Sequence, residues 1–331
     1  MLKSAKLISM AGVAALALLA WPQANARELQ VVSTFSVISD FARNVGGERI
    51  KLTTLVPPNG DTHSYEPKPA DAVAVGRADV VLANGLHLEG FLDRLVQASG
   101  ATAPVIALTQ GVELLRNTEE EDDHHDEHDA QGHDHDHHDE GKHGHGEHAH
   151  HHHHGEYDPH AWQSVRNAQI YVNNIAKAFC AADATGCPDY QANAKAYDEK
   201  LQALDAELKA SVAQIPAARR TIITSHDAFG YLGREYGFQF LAPQGISTES
   251  EASAADVAAL IQQIKNQKAA ALFLENVSNP RLIQQIANET GMKIGGELYS
   301  DALSTADGPA ATYIDMMRHN VNTIWDAALG R

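Results

Sequence analysis

The chain has 331 residues, is 44% hydrophobic and 21% charged, and carries a formal net charge of −18. No basic stripe interrupts that acidic balance, which argues against a nucleic-acid partner. The excess is local: residues 119–156 hold 14 Asp and Glu against the single Lys142, so the remainder is only mildly acidic.

The N-terminus reads as an export signal. Lys3 and Lys6 precede an apolar run from Met10 to Ala20, and Ala24-Asn25-Ala26 offers a small-x-small cleavage site. A signal peptide over residues 1–26 is expected, with the mature chain starting at Arg27. The run is shorter than the ~20 residues of a membrane helix; a retained N-terminal anchor is the alternative. Export places the two cysteines in an oxidising compartment. Cys180 and Cys187 flank a turn marked by Gly186 and Pro188, and a local disulfide is predicted, with two free thiols as the alternative.

Strands then alternate with helices. Extended segments are expected at 29–35, 50–56, 79–83 and 104–108, with helices at 37–45, 69–77 and 91–98 between them. This alternation predicts an α/β fold with a mostly parallel sheet flanked by helices. From His124 to His154 the chain holds 15 histidines among Asp, Glu and Gly, with no aliphatic side chain larger than Ala. Such a segment cannot bury enough apolar surface to offset the entropy of ordering, and 119–156 is expected to be a disordered insert.

Helical patterning resumes at Ala161. A long amphipathic helix follows over 188–215, with Tyr190, Ala194, Tyr197, Leu201, Leu204, Leu208, Val212 and Ile215 on one face. At about 1.5 Å per residue it is long enough to act as a rigid strut between two lobes. The alternation then restarts, with strands at 221–224, 238–242, 270–274 and 292–294. Helices are expected at 228–236, 254–266, 280–289 and 309–329. The expected organisation is an N-terminal α/β lobe (27–187), a linking helix (188–215) and a C-terminal α/β lobe (216–331).

Outside the insert only five histidines remain. His63 follows a strand in Gly60-Asp61-Thr62-His63. His160 opens a helix in Asp158-Pro159-His160-Ala161-Trp162. His226 ends an apolar strand in Thr224-Ser225-His226-Asp227. Asp301 follows the last strand in Tyr299-Ser300-Asp301-Ala302. These positions lie in loops beyond the carboxyl ends of strands or at helix starts, where open α/β sheets bind ligands, two in each lobe. Glu66, Asp158 and Asp227 are candidates to orient the rings; capping or solvated surface charge is the competing reading for each. His87 is expected near the site without being a ligand, and His319 on the surface.

The segments Gly60–Pro67, Asp158–Trp162, Thr224–Leu232 and Ser300–Ser304, in that order, resemble the four ligand segments of the cluster A-I metal-binding proteins of ABC importers, the ZnuA/AztC/PsaA-type family. The resemblance covers the whole mature chain. It implies two lobes joined by one long helix, and metal ligands at His63, His160, His226 and Asp301. Manganese-binding members that resemble this chain carry a carboxylate where His226 stands. Three imidazoles and one carboxylate suit Zn²⁺ better. The resemblance therefore implies a monomeric periplasmic protein that binds Zn²⁺ and delivers it to a permease and its ATPase, with a zinc metallochaperone as a further partner. The insert is expected to gather zinc near the site or to sense its excess; a dispensable solvated loop is the alternative. An enzyme is not expected, because no His-Glu-x-x-His motif occurs and Asp301 would fill the position that a zinc hydrolase leaves open. A zinc buffer or adhesin without a transporter is the other alternative.

Overall fold

The computed structural model describes residues 27–117, 155–267 and 269–330. The expected signal peptide and nearly all of the histidine-rich insert lie outside those residues. The described residues form two four-stranded parallel sheets. The first contains β1 (Leu29–Phe35), β2 (Ile50–Val56), β3 (Val80–Ala83) and β4 (Val105–Ala107), in the spatial order β2-β1-β3-β4. The second contains β5 (Thr221–Ile223), β6 (Gln239–Leu241), β7 (Ala271–Glu275) and β8 (Ile294–Leu298), in the order β6-β5-β7-β8. In each sheet the winding reverses once, between β1 and β3 and between β5 and β7. Such reversals open a crevice at the carboxyl ends of the strands.

The crossovers are α1 (Ser36–Gly46), α2 (Pro69–Gly76) and α3 (Leu92–Ser99) in the first lobe, and α6 (Gly230–Tyr236), α7 (Ala254–Gln267) and α8 (Pro280–Thr290) in the second. Strands covered on both faces read as continuous apolar runs. Val80-Val81-Leu82-Ala83 is such a run, and all four residues are buried.

Between the two sheets in chain order lie α4 (Val165–Ala182) and α5 (Cys187–Val212). Helix α5 has 26 residues and is about 39 Å long at 1.5 Å per residue. Pro188 stands in its first turn, where a missing N–H costs no hydrogen bond. All eight residues of the apolar stripe are buried, including Ile215 just beyond the helix end. The stripe packs on α4, on α1 and on the C-terminal helix α9 (Tyr313–Leu329). The end of the chain therefore returns to the strut and to the first lobe. One apolar core runs from β1 and α1 through α5 to Met316 and Ile324 of α9. A smaller cluster, including Ile223, Ile261, Leu272 and Ile286, fills the outer side of the second sheet.

Two boundaries differ from expectation by four residues. Strand β8 runs to Leu298, because Gly295 and Gly296 lie within the strand instead of ending it. A Cβ on Gly296 would lie 2.6 Å from the Thr323 methyl, and its φ of +146° excludes most side chains. Helix α9 begins at Tyr313, not Pro309, because the Thr312 hydroxyl accepts from the Asp315 N–H and caps the helix there. The predicted disulfide is present: Cys180 and Cys187 are bonded, with Cα atoms 4.4 Å apart, tying the end of α4 to the start of α5.

Closing so short a loop contributes roughly 2–3 kcal/mol through the unfolded chain. The Cys180→Ser/Cys187→Ser variant should unfold at a lower urea midpoint with an unchanged slope, and reductant should lower the wild-type midpoint similarly.

Candidate metal centre

Three of the four expected residues lie in loops after parallel strands, and the fourth opens a helical turn. His63 is in the loop after β2. His160 begins the 3-10 turn Ala161–Gln163 ahead of α4. His226 follows β5 and Asp301 follows β8. Local chemistry shapes these loops. Gly60 closes a turn by donating to the Pro57 carbonyl at 3.0 Å. A Cβ there would meet the Val56 methyl at 2.8 Å and that carbonyl at 2.9 Å. The Asp61 carboxylate then accepts from the His63 N–H at 2.9 Å. Asp158 does the same for the His160 N–H, also at 2.9 Å.

The structure brings all four side chains together. One ligand atom from each lies within 4.8 Å of all the others, and all four residues are buried. His63 Nε2 is 3.2 Å from His160 Nε2. From the Asp301 carboxylate, His226 Nε2 is 3.1 Å away, His160 Nε2 3.5 Å and His63 Nε2 3.6 Å. An ion held tetrahedrally at 2.0–2.2 Å needs donor atoms roughly 3.3–3.6 Å apart. These four edges are close to that size. Neither Asp301 oxygen is hydrogen-bonded, although the residue is fully buried. A buried carboxylate without such partners is costly unless cationic charge faces it.

Two rings are oriented from behind. Asp158 Oδ1 lies 2.8 Å from His160 Nδ1. Glu275 Oε2 lies 2.6 Å from His226 Nδ1. A carboxylate beside Nδ1 favours the tautomer with the proton there, which leaves Nε2 free to face the shared centre. The other Glu275 oxygen accepts from the Ser225 and His226 N–H groups at 2.6 and 3.0 Å. Asp158 was among the sequence candidates. Glu275 was not, although an acidic residue closing an apolar strand at the ligand end of a sheet was the available signal. Glu66 is exposed in its loop. His319 lies half-buried on the surface of α9, with Nε2 3.0 Å from the Glu297 carbonyl. His87 lies outside the cluster, in the wall of a small cavity that reaches His63.

Burial and mutual charge set the titration of the centre. Burial pushes the His63 imidazole down to about 4, assisted by the other two rings and opposed by Asp301. For Asp301 burial alone acts upward, but the three imidazoles outweigh it and hold the carboxyl well below its usual range. For His226 burial acts downward, and the carboxylates of Glu275 and Asp301 overcome it, raising the ring well above an ordinary histidine.

The two halves of the centre are locked together independently of any ion. Trp162 Nε1 and Gln163 Nε2 both donate to the Ser300 carbonyl, at 3.0 and 2.7 Å. Residues beside His160 thus hold the residue before Asp301. The Tyr231 hydroxyl of α6 donates to the Asp158 carbonyl at 3.0 Å, and Tyr313 donates to the Trp162 carbonyl at 2.7 Å. Gly230 allows α6 this approach, since a Cβ there would lie 2.7 Å from Asp158 Oδ2.

Two parallel-sheet lobes on a helical strut, with a buried donor cluster in the crevice between them, define a two-lobed solute-binding protein. The chain belongs to the family described as zinc-uptake complex component A, periplasmic, whose model matches residues 31–327. Substrate-binding proteins of this family work with an ABC permease and its ATPase. The chain is 32% identical over 303 residues to the iron-binding protein YfeA of Yersinia pestis, covering 92% of this chain and 87% of that protein. It is also 32% identical to the manganese-binding lipoprotein MntA of Halalkalibacterium halodurans, covering 89% and 87%. The solved structure of the periplasmic zinc-binding protein TroA of Treponema pallidum superposes with a TM-score of 0.77 at 29% identity, covering 91% of this chain and 99% of that one.

The lowered His63 value has a definite sign for stability. Between about pH 6.5 and 4 the unfolded chain takes up a proton at His63 that the metal-free folded chain does not. The stabilisation that depends on neutral His63 is therefore lost as pH falls through that window. In the metal-free protein, the stability of wild type relative to His63→Gln should decline from pH 6.5 to pH 4, as read from urea midpoints.

Proposed function

We propose that this chain captures one Zn²⁺ between its lobes in the periplasm and delivers it to the permease of an ABC importer. The lobes are taken to span 27–187 and 216–331, joined by the helix 188–215. The observation that carries this reading is the convergence of His63, His160, His226 and Asp301 around a volume of ionic size, with two Nε2 atoms aimed into it by carboxylates.

Relatives named for iron, manganese and zinc share this fold, so the donor set must decide the cargo. Three imidazole nitrogens and one carboxylate form a closed, nitrogen-rich set suited to tetrahedral Zn²⁺. Mn²⁺ favours oxygen donors and more of them, and it binds such sites more weakly in the usual affinity order. A metal-dependent hydrolase needs an open coordination position. Here all four donors are buried protein groups.

Metal titration of the mature protein tests this reading. One tight Zn²⁺ should bind at this centre, survive deletion of 119–154, and resist displacement by excess Mn²⁺. His160→Ala or His226→Ala should abolish that tight binding. Preferential retention of Mn²⁺ or Fe²⁺ would overturn the zinc assignment.

Glu275 provides a second test. Removing a carboxylate behind a metal-bound histidine typically costs 10–100-fold in affinity. Glu275→Gln should weaken zinc binding by that order, measured by competition with a chromogenic chelator, while the fold remains intact by circular dichroism.

A further inference from the structure

A cavity of about 190 Å³ leads from the surface to His63, which forms part of its wall. Its rim carries two exposed side chains with metal-binding chemistry, His87 and Glu249, one from each lobe. We propose that His87 and Glu249 form a transient staging site for a hydrated divalent cation on its way to the buried centre. The proposal rests on the metal-capture reading above and adds a second site to it.

The backbone at His87 is unusual. Gly85, Leu86 and His87 have φ values of +88°, +56° and +63°. Two successive non-glycine residues in the left-handed region are uncommon and persist only where the surroundings impose them. The buried Glu89 carboxylate braces the start of this loop. It accepts from the Asn84 N–H at 2.7 Å, the Gly85 N–H at 3.1 Å and the Thr34 hydroxyl at 2.6 Å. Leu88, 1% exposed, pins the loop into the core. The outcome is an imidazole carried on a braced loop at the rim of the cavity, where packing alone gives it no purpose.

Glu249 lines the same cavity from the second lobe. Its Oε1 would lie 3.8 Å from a Cβ placed on Gly90, three residues beyond His87. One imidazole and one carboxylate leave most of the coordination sphere of an ion to water. Such a pair binds weakly and exchanges quickly, which suits a relay and not a store. The Glu249 charge at the opening also raises the local concentration of cations. Gly155, where the chain returns from the histidine-rich segment, lies directly against His87: a Cβ there would meet the His87 ring at 3.1 Å.

A staging site changes rates. It speeds loading and release together and leaves the affinity of the buried centre alone, because the ratio of the two rates fixes that affinity. Trp162 provides the signal, with its ring centroid 5.3 Å from that of His160. Stopped-flow mixing of the full mature chain with limiting Zn²⁺ would follow Trp162 fluorescence for wild type, Glu249→Gln, His87→Asn and the double variant. Asparagine tolerates the left-handed backbone, so the loop is retained while the imidazole is lost. The double variant should load about tenfold more slowly, and chelator-driven release should slow by the same factor. Glu249→Gln should also flatten the ionic-strength dependence of loading. Unchanged loading in the double variant would overturn the proposal, as would weakened equilibrium binding with an unaltered loading rate. Failure of the wild type to bind Zn²⁺ would instead overturn the capture reading.

Discussion

The structure depends on one electrostatic arrangement: a completely buried aspartate facing three buried imidazoles. Removing the Asp301 carboxylate from water is tolerable because His226, His160 and His63 surround it. Those rings in turn stay buried because Asp301, Glu275 and Asp158 face them. Each member offsets part of the cost of burying the group it faces. A cation placed among the four would relieve the like-charge contacts between the rings and occupy the carboxylate oxygens that lack hydrogen bonds. The site is thus prepared for an ion by the way its polar groups were buried.

That arrangement needs a frame that holds donors from two sheets within a few ångströms. The frame is the strut α5 with the returning helix α9, sharing one core with the first lobe. Buried Asp40 in α1 accepts from the Tyr197 hydroxyl of the strut and from the Tyr313 N–H of α9, so a single carboxylate touches three of these helices. The Leu303 N–H donates to the Ser36 hydroxyl across the lobes, and the Asn59 N–H donates to the Leu303 carbonyl. With so many links independent of the ion, the ligands are held in place before it arrives. Preorganisation of this kind reduces the ordering cost of binding.

Much of this was legible in the sequence because the signals were local or periodic. The eight-residue stripe from Tyr190 to Ile215 defined the strut, and apolar runs such as Val80–Ala83 marked buried strands. His63, His226 and Asp301 could be found because each lies in a loop after a strand, and His160 because it stands at the start of a helical segment. Glu275 could not be singled out in the same way. Its partner, His226, is 49 residues away, and only the pairing of β5 with β7 brings them together. The cross-lobe bonds to the Ser300 carbonyl were hidden for the same reason, since a backbone acceptor leaves no trace in composition. The extent of β8 was obscured because two consecutive glycines read as a turn, whereas they serve close packing against α9 and Phe273.

The neck of the histidine-rich segment has an evolutionary consequence. The histidine-rich segment is bracketed in sequence by Asn117 on one side and by Glu156 and Tyr157 on the other. Arg116 and Tyr157 pair across that gap, the Asn117 N–H donates to the Glu156 carbonyl, and the Asp158 N–H donates to the Leu115 carbonyl. This clasp closes just before Asp158 and His160. Whatever is spliced in between can be lengthened, trimmed or replaced by drift while the ligand beside it keeps its place. The tract and the cluster are therefore free to diverge at different speeds.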